Sequence, residues 1–82
     1  MGTKELREAF NSISVPVGTC SKAWMHYDRE GGVEAQILTF QGNFSDGTPF
    51  VVKSGRIGPN TDLTIASRET ATAMLQKRNP QK

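Results

Sequence analysis

Residues 36–57 read as one long hairpin with Phe44-Ser45-Asp46-Gly47-Thr48 at its turn, and no other segment restricts the fold as much. Ser45 and Asp46 suit the two central αR positions of a type I turn. Gly47 supplies the positive φ that closes a three-residue loop with a G1 bulge. This loop sets Phe44 opposite Thr48. Because side chains alternate along a strand, Leu38, Phe40 and Phe44 then share a face with Phe50 and Val52, while Thr39, Gln41, Val51 and Lys53 share the other. A two-residue Asp-Gly turn slips the register by one and separates Phe40 from Phe50 and Val52, so segregation of the apolar side chains favours the bulged loop.

Upstream, Leu6, Phe10 and Ile13 recur at helical spacing with Ala9 beside them and Thr3 as N-cap, which predicts an amphipathic helix over 4–13. Val15-Pro16 ends it, because proline disfavours helical geometry at the residue before it, and Gly18-Thr19 continues as an irregular connection. Residues 22–28 alternate Ala23, Met25 and Tyr27 against Trp24, His26 and Asp28. That is strand periodicity with apolar character on both faces, so the core side is open. Arg29-Glu30-Gly31-Gly32 forms a turn into the strand of residues 33–44, and residues 48–57 return beside it. Gly58-Pro59-Asn60-Thr61 breaks the pattern. Leu63 and Ile65 then alternate with Asp62 and Thr64 as a short fourth strand. Ser67 caps a second helix with Ala71, Met74 and Leu75 as its apolar stripe and Arg68, Glu69, Gln76 and Lys77 outside it. Asn79-Pro80 stops that helix.

The expected architecture is α+β, a small two-layer sandwich of order α-β-β-β-(β)-α. An antiparallel sheet of three to four strands carries the N- and C-terminal helices on one face. Residues 1–82 form a single domain, with no repeat or linker. Leu6, Phe10, Ile13, Met74 and Leu75 pack on the Phe40/Phe50 face, with Phe10, Phe40 and Leu75 largely buried. The other face is left for solvent or for a partner.

A chain of 82 residues buries little more than ~60% of its unfolded surface, so there is one small core. Its 35% hydrophobic and 22% charged residues are those of an ordinary folded domain. The single Cys20 excludes an intramolecular disulfide, and no apolar run reaches the length of a secretory h-region or a membrane span. A reducing, cytoplasmic setting without membrane contact is expected, with the chain a monomer or a small homo-oligomer. Ten Lys and Arg against eight Asp and Glu give a net charge of +2, short of the dense basic stripe of a strong nucleic-acid binder. Lys77, Arg78 and Lys82 at the C-terminal end suit the helix macrodipole.

Nucleophilic catalysis needs a base held against a nucleophile, and the supply here is one histidine and one cysteine. His26 lies six residues from Cys20 with no third group to orient the ring. A zinc site needs three or four nitrogen or sulfur ligands. The carboxylates Asp28, Glu30, Glu34, Asp46, Asp62 and Glu69 are scattered over turns and strand faces. Lys53-Ser54-Gly55 with Gly58 lacks the spacing of a phosphate loop. No catalytic residue, cofactor or metal is therefore expected. Trp24 and Tyr27 point to opposite sides of their strand. Whichever faces away from the helices, beside Lys22, Arg29, Lys53 and Arg56, is placed to anchor a protein interface or to stack a base.

The function expected from this inventory is that of a non-enzymatic binding module or inhibitor, acting stoichiometrically on a protein partner through Trp24 or Tyr27 with Lys53 and Arg56. Small stand-alone domains of this kind are frequent in mobile genetic elements and among regulators of larger machines. The alternative is nucleic-acid binding. The order helix-strand-strand-strand-helix, with Ser67-Arg68 followed by Ala71, resembles the double-stranded-RNA-binding domain, which implies recognition of duplex RNA through its backbone. Glu69 and Thr72 stand here where that family carries phosphate-clamping lysines.

Overall fold

In the computed structural model, which describes residues 2–78 apart from the side chains of Glu30 and Arg78, the chain runs through five elements. These are α1 (Thr3–Ser14), β1 (Gly18–Glu30), β2 (Val33–Phe44), β3 (Pro49–Lys53) and α2 (Leu63–Arg78). The strands form one antiparallel sheet in the order β1-β2-β3. Both helices lie on one of its faces, where Leu6 and Phe10 of α1 and Ala66, Ala71 and Met74 of α2 join Leu38, Phe40 and Phe50 in one cluster. The α+β sandwich is therefore as expected, with three strands among the described residues.

The hairpin turn has the geometry its residues demand. The Phe44 amide donates to the Thr48 carbonyl at 2.7 Å, the Gly47 amide donates to the Phe44 carbonyl at 2.8 Å, and Gly47 has φ 92°. Asp46 Oδ1 accepts from the Thr48 amide at 2.9 Å, which stiffens the loop. The register that follows sets Phe40 opposite Val52 and Gly42 opposite Phe50. Leu38, Phe40 and Phe50 are accordingly buried, while Val51 on the other face is exposed. Beyond Lys53 the chain leaves regular strand but stays beside β2: the Ser54 amide reaches the Leu38 carbonyl and the Ile57 amide reaches the Gln36 carbonyl, each at 2.9 Å. Ile57 thereby enters the core.

The first strand is longer than residues 22–28. Gly18 and Thr19, expected in an irregular connection, already pair with Phe44 and Asn43. The pairing shifts between Cys20 and Lys22, so that Ser21 is bulged. The bulge reconciles two demands. Cys20 and Ala23 are both buried on the core side although three positions apart, and Lys22 falls opposite Gln41 on the outer side. Asn11 fixes this point to α1: its Oδ1 accepts from the Cys20 amide at 2.8 Å and its Nδ2 donates to the Cys20 carbonyl at 3.1 Å. At the far end, Gly31 and Gly32 both have positive φ, as the tight two-residue connection between Glu30 and Val33 requires.

Helix boundaries differ from the expected ones for local reasons. Gly2, rather than Thr3, is the N-cap of α1, and its amide donates to Glu5 Oε1 at 3.0 Å. The segment read as a fourth strand is the first turn of α2, because Asp62 Oδ1 accepts from the amides of Thr64 and Ile65 at 3.0 and 3.2 Å. Ser67 is therefore not a cap. It is buried in the second turn of the helix and donates its hydroxyl to the Leu63 carbonyl, as Thr70 does to that of Ala66, both at 2.8 Å. With their hydroxyls satisfied inside the helix, these two residues extend the buried stripe. Leu75, expected at the centre of the core, packs half-buried at its edge. Asn79-Pro80, expected to end the helix, lies outside the described residues.

Candidate functional site

The register places one set of side chains on the sheet face that the helices leave open. Lys22, Trp24, His26 and Asp28 come from β1, Ala35, Ile37, Thr39 and Gln41 from β2, and Val51 and Lys53 from β3. Trp24 pairs with Thr39 and Thr39 with Lys53, so these three form one rung across the sheet. The Lys22 ammonium lies 5.1 Å from the centroid of the Trp24 ring, within reach of a cation–π contact. The His26 ring stands 5.9 Å from Trp24 on its other side, tilted by 32°. His26 Nε2 is hydrogen-bonded to Thr39 Oγ1, which explains how the hydroxyl of a buried threonine is satisfied on an otherwise open face.

An ion pair crosses the same face. Lys53 Nζ donates to Asp28 Oδ2 at 2.7 Å, and because Lys53 belongs to the Thr39 rung and Asp28 to the Ala35 rung, the pair spans β2 at the level of Ile37. Ile37 and Ala35 are both buried. The hydrogen bond from Lys53 holds the Asp28 carboxyl below its usual value, helped by the Arg29 amide, which donates to Oδ1 at 2.8 Å. The face thus has a closed half, where the Asp28–Lys53 pair and His26 cover Ile37, and an accessible half. Trp24 is half-buried there, Lys22 and Gln41 are exposed, and Val51 is 60% exposed.

Trp24 and Lys53, two of the four residues singled out in the sequence, lie on this face in one rung, with Thr39 of β2 between them. Tyr27 does not join them. It pairs with Gln36 on the helix side and is 64% exposed, with Met25 exposed beside it. Arg56 lies after β3, in the wall of a groove against α2. The expected set therefore divides over three surfaces. Val51 and Gln41 were not singled out. The hairpin register placed both on the outer face, and their exposure is the consequence.

Cys20 and His26 lie on opposite sides of the sheet. The Cys20 thiol donates to the Lys22 carbonyl at 3.1 Å, and burial pushes its pKa up, away from the thiolate needed for attack. Among the described residues no group of three or more His, Cys, Asp or Glu is placed to hold a metal ion, and no helix is long and apolar enough to cross a membrane. The open face presents an aromatic ring flanked by a cation and an imidazole, an exposed valine and a lysine tied to a carboxylate.

Comparison with protein-family models, with curated proteins and with solved structures finds no match. The helix starts at Leu63, so Ser67-Arg68 lies within α2 rather than at its start.

Proposed function

We propose that this chain is a binding module or inhibitor that docks stoichiometrically on a protein partner through the open sheet face and performs no chemistry of its own. The observation that carries the proposal is the Trp24–Thr39–Lys53 rung. It presents a half-buried tryptophan, braced by Lys22 and His26, beside exposed Val51 on a rigid sheet. Tryptophan in such a setting contributes large contact area with little conformational entropy to lose, which is why it so often anchors interfaces. A cytoplasmic, reducing setting belongs to the same proposal, since the lone Cys20 is buried as a core residue.

Nucleic-acid binding is the second candidate, because a tryptophan beneath Lys22 and on the rung of Lys53 is also a platform for a stacked base between phosphates. Asp28 counts against it, as its carboxylate neutralises Lys53 on that face. The test is affinity capture from a lysate of the native host cells, in parallel with Trp24→Ala and Val51→Asp variants of unchanged circular dichroism, followed by a titration of the purified pair. Docking predicts one partner retained at a fixed ratio and released by either substitution. Retention of oligonucleotides that falls steeply with salt supports the alternative. Substrate turnover by the purified chain overturns both.

A further inference from the structure

The outer edge of β3 borders a groove of about 510 Å³ whose far wall is α2. Hydrogen-bonded pairing of Phe44 with Thr48 and of Leu38 with Ser54 fixes which groups of β3 face which way. By the alternation of an antiparallel ladder, Phe50 and Val52 turn their amides and carbonyls to β2, and Val51 and Lys53 turn theirs outward into the groove. The floor is apolar, from Ile57, Ala66 and Met74. The rim carries Arg56 and Lys77 against the carboxylate of Glu69, while Lys53 beside them is already paired with Asp28.

We infer that this groove takes an extended, carboxylate-rich segment of a protein partner, added as a fourth strand antiparallel or parallel to β3. The inference rests on the proposed docking function and identifies the chemistry of the partner. A strand so added satisfies the outward backbone groups of Val51 and Lys53. Because side chains alternate, one set of its residues drops onto Ile57 and Met74, and the other extends the open face beside Val51 and Lys53, so one partner engages groove and face together. Acidic residues at its margins meet Arg56 and Lys77.

Charge decides between this occupant and the other candidates. A second copy pairing through its own β3 brings the two cationic rims together, and the edge has the features that discourage such pairing: it is five residues long, opens with Pro49 and ends with Lys53. A nucleic-acid strand suits the cations but leaves the β3 edge groups and the apolar floor unmatched, and places phosphates beside Glu69.

The probe is a short, acetylated, fluorescein-labelled valine–glutamate peptide with valine at alternate positions through its centre and glutamates at both ends, with a counterpart carrying lysines at the ends (the valine–lysine peptide) as control and oligothymidylate as competitor. Binding is read by anisotropy at low salt and by amide shifts in the isotopically labelled chain. The valine–glutamate peptide is expected to bind saturably, to be released by salt, and to shift the amides of Val51, Lys53 and Gly55. Val51→Pro removes an amide that faces the groove rather than β2, so it leaves the sheet intact and should weaken binding roughly tenfold or more. Arg56→Glu with Lys77→Glu, on the surface and independent of the backbone, should do the same. Equal binding of the valine–lysine peptide, unchanged affinity in both variants, or no binding at all overturns the inference. Full displacement by oligothymidylate reassigns the groove to nucleic acid, and a dimer abolished by Val51→Pro reassigns it to a second copy. If the peptides fail while lysate capture still depends on Trp24, the docking function stands and the groove assignment alone falls.

Discussion

The ring of Phe10 lies 4.5 Å from that of Phe40, inclined by 21°, and neither residue has any solvent-accessible surface. This stack joins α1 to the central strand, and the Phe50 ring of β3 also lies against Phe10, 6.0 Å away. Truncating Phe40 to alanine removes the ring against which Phe10 stacks and should cost ~3–5 kcal/mol, most of the stability of so small a domain. Urea unfolding followed by tryptophan fluorescence measures it. A near-native midpoint would mean that the stack is not the centre of the core.

Gly42 should resist substitution for a reason unrelated to turn geometry. It sits opposite Cys20 at the bulge, where a Cβ would come within 2.7 Å of the Cys20 Cα and closer still to the Thr19 carbonyl. Since backbone must move to admit a methyl group, Gly42→Ala should destabilise by ~1–3 kcal/mol in the same assay. Gly47→Val should cost ~1 kcal/mol or more by a different route, the φ of 92°, with open space around the new side chain.

The turn at Ser45-Asp46-Gly47 was legible in the sequence because its determinants are local, and from the turn the register and the two faces of the hairpin followed. The bulge at Ser21 was not, because it answers a tertiary demand: Asn11 grips Cys20 across nine residues while Lys22 must stay out of the core. The start of α2 was misread since Asp62-Leu63-Thr64-Ile65 alternates over too short a stretch to distinguish a strand from a capped first turn. Ser67 read as a cap because its bond to the Leu63 carbonyl, four residues back within the helix, cannot be seen in the sequence. At the site, the side to which Trp24 points was undetermined until pairing with Thr39 settled it, and Tyr27 fell to the other side for the same reason.

Asp28 should titrate below its ordinary value of 3.8 in the folded chain, because Lys53 donates to its carboxylate. A carboxyl depressed on folding adds stability above its unfolded pKa and loses it as pH falls through the folded value, so the effect belongs to the acid side of 3.8. Carboxyl-carbon NMR across that range is the measurement. Lys53→Met should move the midpoint up toward the ordinary value, and high salt should narrow the difference, as the pair is solvent-accessible.

Cys20 should resist alkylation in the native state. Its side chain is buried, its thiol is engaged by the Lys22 carbonyl, and burial disfavours the thiolate. Mass spectrometry after iodoacetamide treatment should show slow modification at neutral pH and rapid modification in denaturant. Fast modification of the folded chain would place the thiol at the surface.

The most direct test of docking through the open face is amide chemical-shift mapping of the labelled chain, titrated with the partner captured from its host. The largest changes are predicted at Lys22, Trp24, Thr39, Gln41, Val51 and Lys53, saturating at a fixed molar ratio. Changes confined to the outer surfaces of α1 and α2, with the Trp24–Thr39–Lys53 rung unaffected, would contradict it.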